Sequence, residues 1–154
     1  MPLSEHLAEL RACVLPASDR DAALAAAAGL LACEQAGAED LRASLQAREQ
    51  LGSTAIGHGI AIPHGRLATL EAPRGALLRL ESAVDFGAAD GEHVDLVFAL
   101  AVPDHYTHQH LMLLSELAER FSDDRFRQAL RDAPDAQAMR TLLLEKPRNP
   151  KAAA

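Results

Sequence analysis

The residues most capable of chemistry lie in one run, Arg48–Arg66, REQLGSTAIGHGIAIPHGR. It ends on a histidine set between a proline and a glycine, Pro63-His64-Gly65. Pro63 has no N–H and pushes Ile62 towards extended geometry, which predicts a strand that stops at the histidine. Gly65 allows a sharp turn and leaves one side of the ring uncrowded. An imidazole near neutral pH is largely uncharged and nucleophilic, and so a good phosphoryl acceptor. A lone histidine at a strand end is ordinarily structural; in this setting His64 reads as a held-out nucleophile that carries a phosphoryl group.

Two further side chains are candidates for support. In a helix over Glu39–Gln50, Leu41, Leu45 and Arg48 fall on one stripe at spacings of four and three. That aims a guanidinium along the buried face at the last turn. Two roles fit it equally: a cation complementing the helix dipole, or a forked donor for phosphate oxygens. The third candidate lies downstream, in His105-Tyr106-Thr107-His108-Gln109-His110. If this begins a helix ending near Phe121, His110 aligns with Leu114, Leu117 and Phe121 on the core-facing stripe, while His105 and His108 point to the other side. His110 is then placed to donate a hydrogen bond to an anion held at His64.

A metal site is the rival use of these imidazoles. Chelation needs converging rings, and no Cys or carboxylate completes a recognised ligand spacing, so neither a metal nor another cofactor is expected. Gly52, Gly57 and Gly59 with Ser53 and Thr54 resemble a phosphate-cradling loop in composition but match neither GxGxxG nor a Walker A sequence. Asp40, Glu49, Asp85 and Glu92 are scattered carboxylates, expected on the solvated surface.

Positioning these groups takes one α/β domain. The 154 residues suit a single core, 49% are apolar, and with aromatics at 3% and no Trp that core must be Leu, Ala, Val and Ile. The net charge of −7, without a basic block, argues against a nucleic-acid partner. Cys13 and Cys33 form no CxxC pair and are expected as buried thiols in a reducing compartment. No signal peptide opens the chain and no apolar run approaches about 20 residues, so a cytoplasmic protein with no membrane insertion is expected.

Along the chain, strands are expected at Arg11–Leu15, Ile60–Ile62, Arg74–Glu81 and Val94–Val102. The last is almost continuously apolar, as in a central strand covered on both faces. Helices are expected at Asp19–Ala36 (N-capped by Ser18 and stopped by Gly37), Glu39–Gln50, His105–Phe121, Asp124–Arg131 and Asp135–Leu143. The order predicts a small mixed sheet flanked by helices over residues 1–144, with a flexible C-terminal tail over 145–154.

Arg48-Glu49, Gly52-Ser53-Thr54, Ile56-Gly57 and Gly59-Ile60-Ala61-Ile62-Pro63-His64-Gly65 together resemble the signature of phosphotransferase-system enzyme IIA domains of the fructose/mannitol class, above all its nitrogen-regulatory branch. The resemblance continues through Val94–Leu100 and His110, with Ser115 five residues on. It implies a mannitol-specific IIA-like fold and a phosphocarrier whose His64 accepts a phosphoryl group on Nε2, with Arg48 and His110 as the supporting pair. The implied donor is the phosphohistidine carrier HPr or its nitrogen-branch paralogue; the implied acceptors are regulatory target proteins or, in sugar uptake, a IIB domain. The chain departs from the family at Ala55, commonly Gly, and at His58, commonly Asn or Glu. His58 adds a titratable ring six residues from the nucleophile.

Overall fold

The continuously apolar run organises the molecule. In a computed structural model, which describes residues 9–145, it is β6, Val94–Pro103. Its side chains alternate between two cores: Val97, Ala99 and Ala101 face one, Leu96, Phe98, Leu100 and Val102 the other. On the first face lie α1 (Arg20–Leu31) and α2 (Ala38–Gln50). On the second lie α3 (His108–Phe121), α4 (Asp124–Asp132) and α5 (Ala136–Leu144). The first core joins alanines of α1 (Ala23, Ala27, Ala28) and of the sheet (Ala76, Ala99, Ala101) with Phe86 and leucines such as Leu24, Leu41 and Leu78; the second holds Phe98, Phe121 and leucines.

Among the described residues six strands form the sheet: β1 (Glu9–Leu15), β2 (Ala55–Gly57), β3 (Ile60–Ala61), β4 (His64–Leu67), β5 (Arg74–Val84) and β6. Their order is β1-β5-β6-β3-β2, with β4 also paired to β6. β1 runs parallel to β5, β5 antiparallel to β6, β3 and β4 parallel to β6, and β2 antiparallel to β3. This is the mixed, helix-flanked sheet expected. Among the described residues no helix is long and apolar enough to cross a membrane.

Four expectations need correction. The cap of α1 is Asp19, whose Oδ1 accepts from Ala22 N at 2.8 Å, rather than Ser18. The helix stops at Leu31, well before Ala36. Arg74 reaches under its end, Nε donating to Leu31 O at 2.7 Å and Nη2 to Ala32 O at 3.4 Å, and Cys33 and Ala36 then close a bridged turn. α3 begins at His108, not His105. Cys13 and Cys33 are free and half-buried rather than fully enclosed. The expected tail lies, from residue 146 on, outside the described residues.

Arginine repeatedly satisfies helix ends. Arg127 donates to Phe121 O at the end of α3, Arg79 to Leu130, Arg131 and Ala133 carbonyls at the end of α4, and Arg120 to Leu142, Leu143 and Glu145 carbonyls at the end of α5. A planar fork of donors suits the several unpaired carbonyls of a last turn.

Candidate functional site

His64 does not leave the sheet. β3 lies against Leu96 and Val97 of β6, the chain breaks at Ile62-Pro63, and β4 rejoins the same strand beside Leu100–Pro103, His64 opposite Leu100. The proline costs the ladder one donor and no more; its own carbonyl accepts from Leu100 N at 2.9 Å. β6, ten residues long, holds both pieces. The expected strand end is therefore an interruption between two short strands.

Register fixes which way the residues face. His64 shares a face with Leu100, and hence with α3; Arg66, two residues on, lies on the same face. Gly65 faces α2. Its φ is not in the left-handed region, so it is needed for space rather than for a turn. A Cβ there would collide with Ser44 Oγ and stand 3.1 Å from Ser44 Cβ. The glycine lets α2 lie against β4, and Ser44 Oγ donates to Arg66 O at 3.2 Å across the seam.

From the end of α2, Arg48 bends round the strand to the histidine. Its Nε donates to His64 Nε2 at 3.2 Å and its Nη1 to Gly52 O at 2.8 Å. His64 Nδ1 lies 2.9 Å from Ile62 O. A carbonyl only accepts, so Nδ1 carries the proton and Nε2 presents the lone pair. Burial lowers the His64 pKa below its ordinary value. The Ile62 hydrogen bond and the Glu49 carboxylate oppose this, while Arg48 and Arg66 add to it. The ring is neutral at neutral pH, as a nucleophile must be.

His110 is 4% exposed and stands edge-on to His64, ring centroids 5.2 Å apart and planes at 79°. The buried stripe of α3 is His110, Leu113, Leu117 and Phe121; Leu113 takes the place expected of Leu114, which is half-buried at its flank. Arg66 Nε donates to His110 Nδ1 at 3.2 Å, and His110 Nε2 is buried with no hydrogen-bond partner among the described residues. Burial first, then the charges of His64 and Arg66, press the His110 pKa down to about 4. It offers a neutral N–H, not a charge. An unpaired buried donor costs about 1–3 kcal/mol, a cost that a bound anion would remove.

Arg48, His64, Arg66 and His110 line one open pocket of about 340 Å3, with Leu51 and Gly65 at its wall. The three groups singled out from the sequence are thus brought together. Arg66 is a fourth that was passed over, though its place two residues after His64 on a strand puts it on the same face. Glu49, expected on the solvated surface, is buried instead. It is 4% exposed, and its carboxylate accepts from Thr54 N at 3.0 Å and Thr54 Oγ1 at 2.6 Å. The buried stripe of α2 runs Leu41, Leu45, Glu49 at spacings of four, so Glu49 rather than the half-buried Arg48 holds the inward place of the last turn.

The remaining candidates have structural places. Ser53 Oγ donates to Phe86 O, and Thr54 is taken by Glu49, so neither hydroxyl cradles an anion. His58 and Gly59, with φ of 60° and 79°, are the two central residues of the β2–β3 hairpin. This is a type I′ turn, where residues tolerant of positive φ are selected. Arg131 fastens the turn, with Nη2 bonded to His58 O and Asp95; Asp90 Oδ2 accepts from His58 N at 3.0 Å. His105 and His108 are exposed, as expected. Among the described residues no three His, Cys, Asp or Glu side chains are grouped so as to hold a metal.

A paired imidazole and guanidinium at the ends of β3–β4 and α2, in a mixed sheet with helices on both faces, can be set beside known proteins. Residues 8–146 match the family described as phosphoenolpyruvate-dependent sugar phosphotransferase system, EIIA 2, and the chain belongs to that family. Within it, the chain is similar to a nitrogen regulatory protein of Pseudomonas aeruginosa, 44% identical over 108 residues, 70% of each chain. It is also similar to the crystal structure of nitrogen regulatory protein IIA-Ntr from Neisseria meningitidis. That match has a TM-score of 0.80 at 36% identity, covering 92% of this chain and 98% of that one. The fold is shared with IIA mannitol from Escherichia coli, TM-score 0.65 at 19% identity, covering 84% and 94%.

Proposed function

We propose that the chain is a phosphocarrier of the nitrogen-regulatory kind, and that His64 Nε2 is the atom that carries the phosphoryl group. The observation that supports this most is the hydrogen-bond pattern of His64: its only proton is held on Nδ1 by Ile62 O, leaving Nε2 as a neutral nucleophile inside a cationic pocket. In the transfer, the Nε2 lone pair attacks phosphorus in line. The bond from phosphorus to the donor's nitrogen breaks, and its electrons stay on the donor's ring. No proton need move, because Nδ1 keeps its own. At rest Arg48 Nε covers the Nε2 lone pair. Arg48 must therefore swing off as the donor arrives, and its guanidinium then meets the equatorial phosphoryl oxygens, with His110 Nε2–H beside it. Positioning and fixed charge supply the catalysis.

The protein belongs to the transferase class by its place in a relay, with no small-molecule turnover of its own and no metal or cofactor. Its phosphodonor is HPr or a nitrogen-branch HPr paralogue. Leu51 at the pocket wall is 84% exposed, and Leu111 and Met112, directly after His110, are 65% and 49% exposed; these give a protein donor an apolar rim to rest on. Phosphorylation places about two negative charges in that surface, which changes the binding of regulatory targets in the cytoplasm. A sugar-uptake role, with onward transfer to a IIB domain, is the alternative favoured by the family's sugar phosphotransferase description.

Incubation with phosphoenolpyruvate and the upstream carriers should add one acid-labile phosphoryl group by intact-protein mass. The same gain in His64→Ala would overturn the assignment. A deletion strain with a specific defect on fructose or mannitol would favour uptake; normal growth there with altered nitrogen control favours regulation.

A further inference from the structure

The reading above leaves Arg66 without a role, although it is the charged group that touches His110. We infer that Arg66 is a positioning residue for phosphoryl transfer: by donating Nε–H to His110 Nδ1 it holds the ring as the Nε2–H tautomer, so that a single neutral donor stands fixed beside His64. The inference rests on His64 being the phosphoryl acceptor.

Three observations carry it. First, an arginine only donates, so the 3.2 Å contact makes His110 Nδ1 an acceptor and leaves the ring's one proton on Nε2. Second, that Nε2 is buried with no partner among the described residues, in a ring that stands edge-on to His64. A buried donor without an acceptor is what an anion-binding position looks like before the anion arrives. Third, the placement is enforced by the sheet. Arg66 and His64 are two residues apart on β4 and share the face towards α3, so the strand that positions the nucleophile also positions the residue that sets its neighbour's proton. The relation is that of a group orienting a histidine from its second nitrogen.

The charged and titratable groups packed towards His110 are His64 and Arg66 from β4 and, across the pocket, Arg48 with Glu49 behind it from α2. On its own helix His108 is exposed. Among the described residues Arg66 is thus the one cation in hydrogen-bond contact with the ring. Burial, with smaller help from the His64 and Arg66 charges, keeps His110 neutral, and Arg66 fixes which nitrogen carries its one proton. Its Nη groups make no other hydrogen bond among the described residues, and the same guanidinium keeps positive charge at the pocket.

The test uses the 15N-labelled full chain, with Arg66→Met to remove the donor at similar length and Arg66→Lys to restore a cationic donor. Arg66 is exposed on its strand, and matching thermal midpoints will show that the variants fold. In the wild type, long-range 1H–15N spectra should show His110 with a protonated Nε2 and an unprotonated Nδ1, unchanged between pH 5.5 and 8. Arg66→Met should show His110 as a mixture of Nδ1–H and Nε2–H tautomers, and Arg66→Lys should recover part of the wild-type pattern. In parallel, phosphoryl acceptance by Arg66→Met should fall at least tenfold, with Arg66→Lys intermediate. A His110 tautomer pattern unchanged in Arg66→Met overturns the inference, as does an acceptance rate within twofold of wild type. If the wild type accepts no phosphoryl group at His64, the functional reading fails instead; the tautomer measurement, made without a donor, separates the two results.

Discussion

Glu49→Ala is the perturbation whose consequences the structure fixes most closely, because the carboxylate has two buried clients and a neighbour it acts on only through charge. Truncation strands Thr54 N–H and Thr54 Oγ1, both buried and both now bonded to it. Each unsatisfied group costs about 1–3 kcal/mol; the hydroxyl can partly turn away, so the loss should be about 3 kcal/mol, or roughly 6–12 °C in Tm for a chain of this size. Glu49→Gln behaves differently. Its amide oxygen still accepts from Thr54 N, its NH2 can donate to Oγ1, and the loss should stay below about 1 kcal/mol. What Gln removes is the negative charge that supports protonation of His64. The His64 pKa should therefore fall further, and the acid limb of phosphoryl acceptance should move to lower pH. Urea unfolding followed by far-UV circular dichroism suits a chain with no Trp and one Tyr, and acceptance rates between pH 5 and 8 give the second readout. A Glu49→Ala loss under about 1 kcal/mol, or an acid limb in Glu49→Gln displaced upward, would mean that Glu49 neither holds Thr54 nor supports protonation of His64.

Arg48→Ala should slow phosphoryl acceptance by about 10²–10³-fold, the scale for removing one preorganised donor from developing charge; stopped-flow or quench-flow labelling measures it, and an unaltered rate would reduce Arg48 to a helix-end cation. Gly65→Ala drives a Cβ into Ser44 and should cost about 1–3 kcal/mol, part of which Ser44→Ala restores; additive losses in the double-variant cycle would contradict the close α2–β4 approach. For His110 the folded-state pKa of about 4 lies below the model-peptide 6.5. Its contribution to stability is therefore complete above pH 6.5 and lost as pH falls from 6.5 to 4. Discounted for screening through the open pocket, that amounts to about 1–2 kcal/mol. Unfolding free energies across that window should be flatter in His110→Gln than in the wild type.

What could be read from the chain divides along a physical line. β6 was legible because burial on both faces leaves a continuous apolar run, and His64 and His110 because a proline and a helical stripe fix their surroundings locally. Features set by long-range partners were not. The end of α1 depends on Arg74, more than forty residues away, and no local signal foretells that. β4 has little strand character of its own, and it forms because β6 extends beyond the break at Pro63. Glu49 lay on the inward stripe but carries a charge, and the partner that makes its burial tolerable, Thr54, becomes visible only when the loop after α2 folds back. His58 stood out as an extra imidazole near the nucleophile; it is a residue of a type I′ turn, selected for its backbone.

In the proposed transfer a single nitrogen, His64 Nε2, takes the phosphoryl group. The chain has seven histidines, so the decisive measurement is site-resolved: long-range 1H–15N spectra of the labelled protein before and after phosphorylation by the upstream carriers. His64 Nε2 should shift to the position of a phosphorylated nitrogen, with Nδ1 still protonated. A phosphoryl group on His64 Nδ1, or on any other histidine, would contradict it.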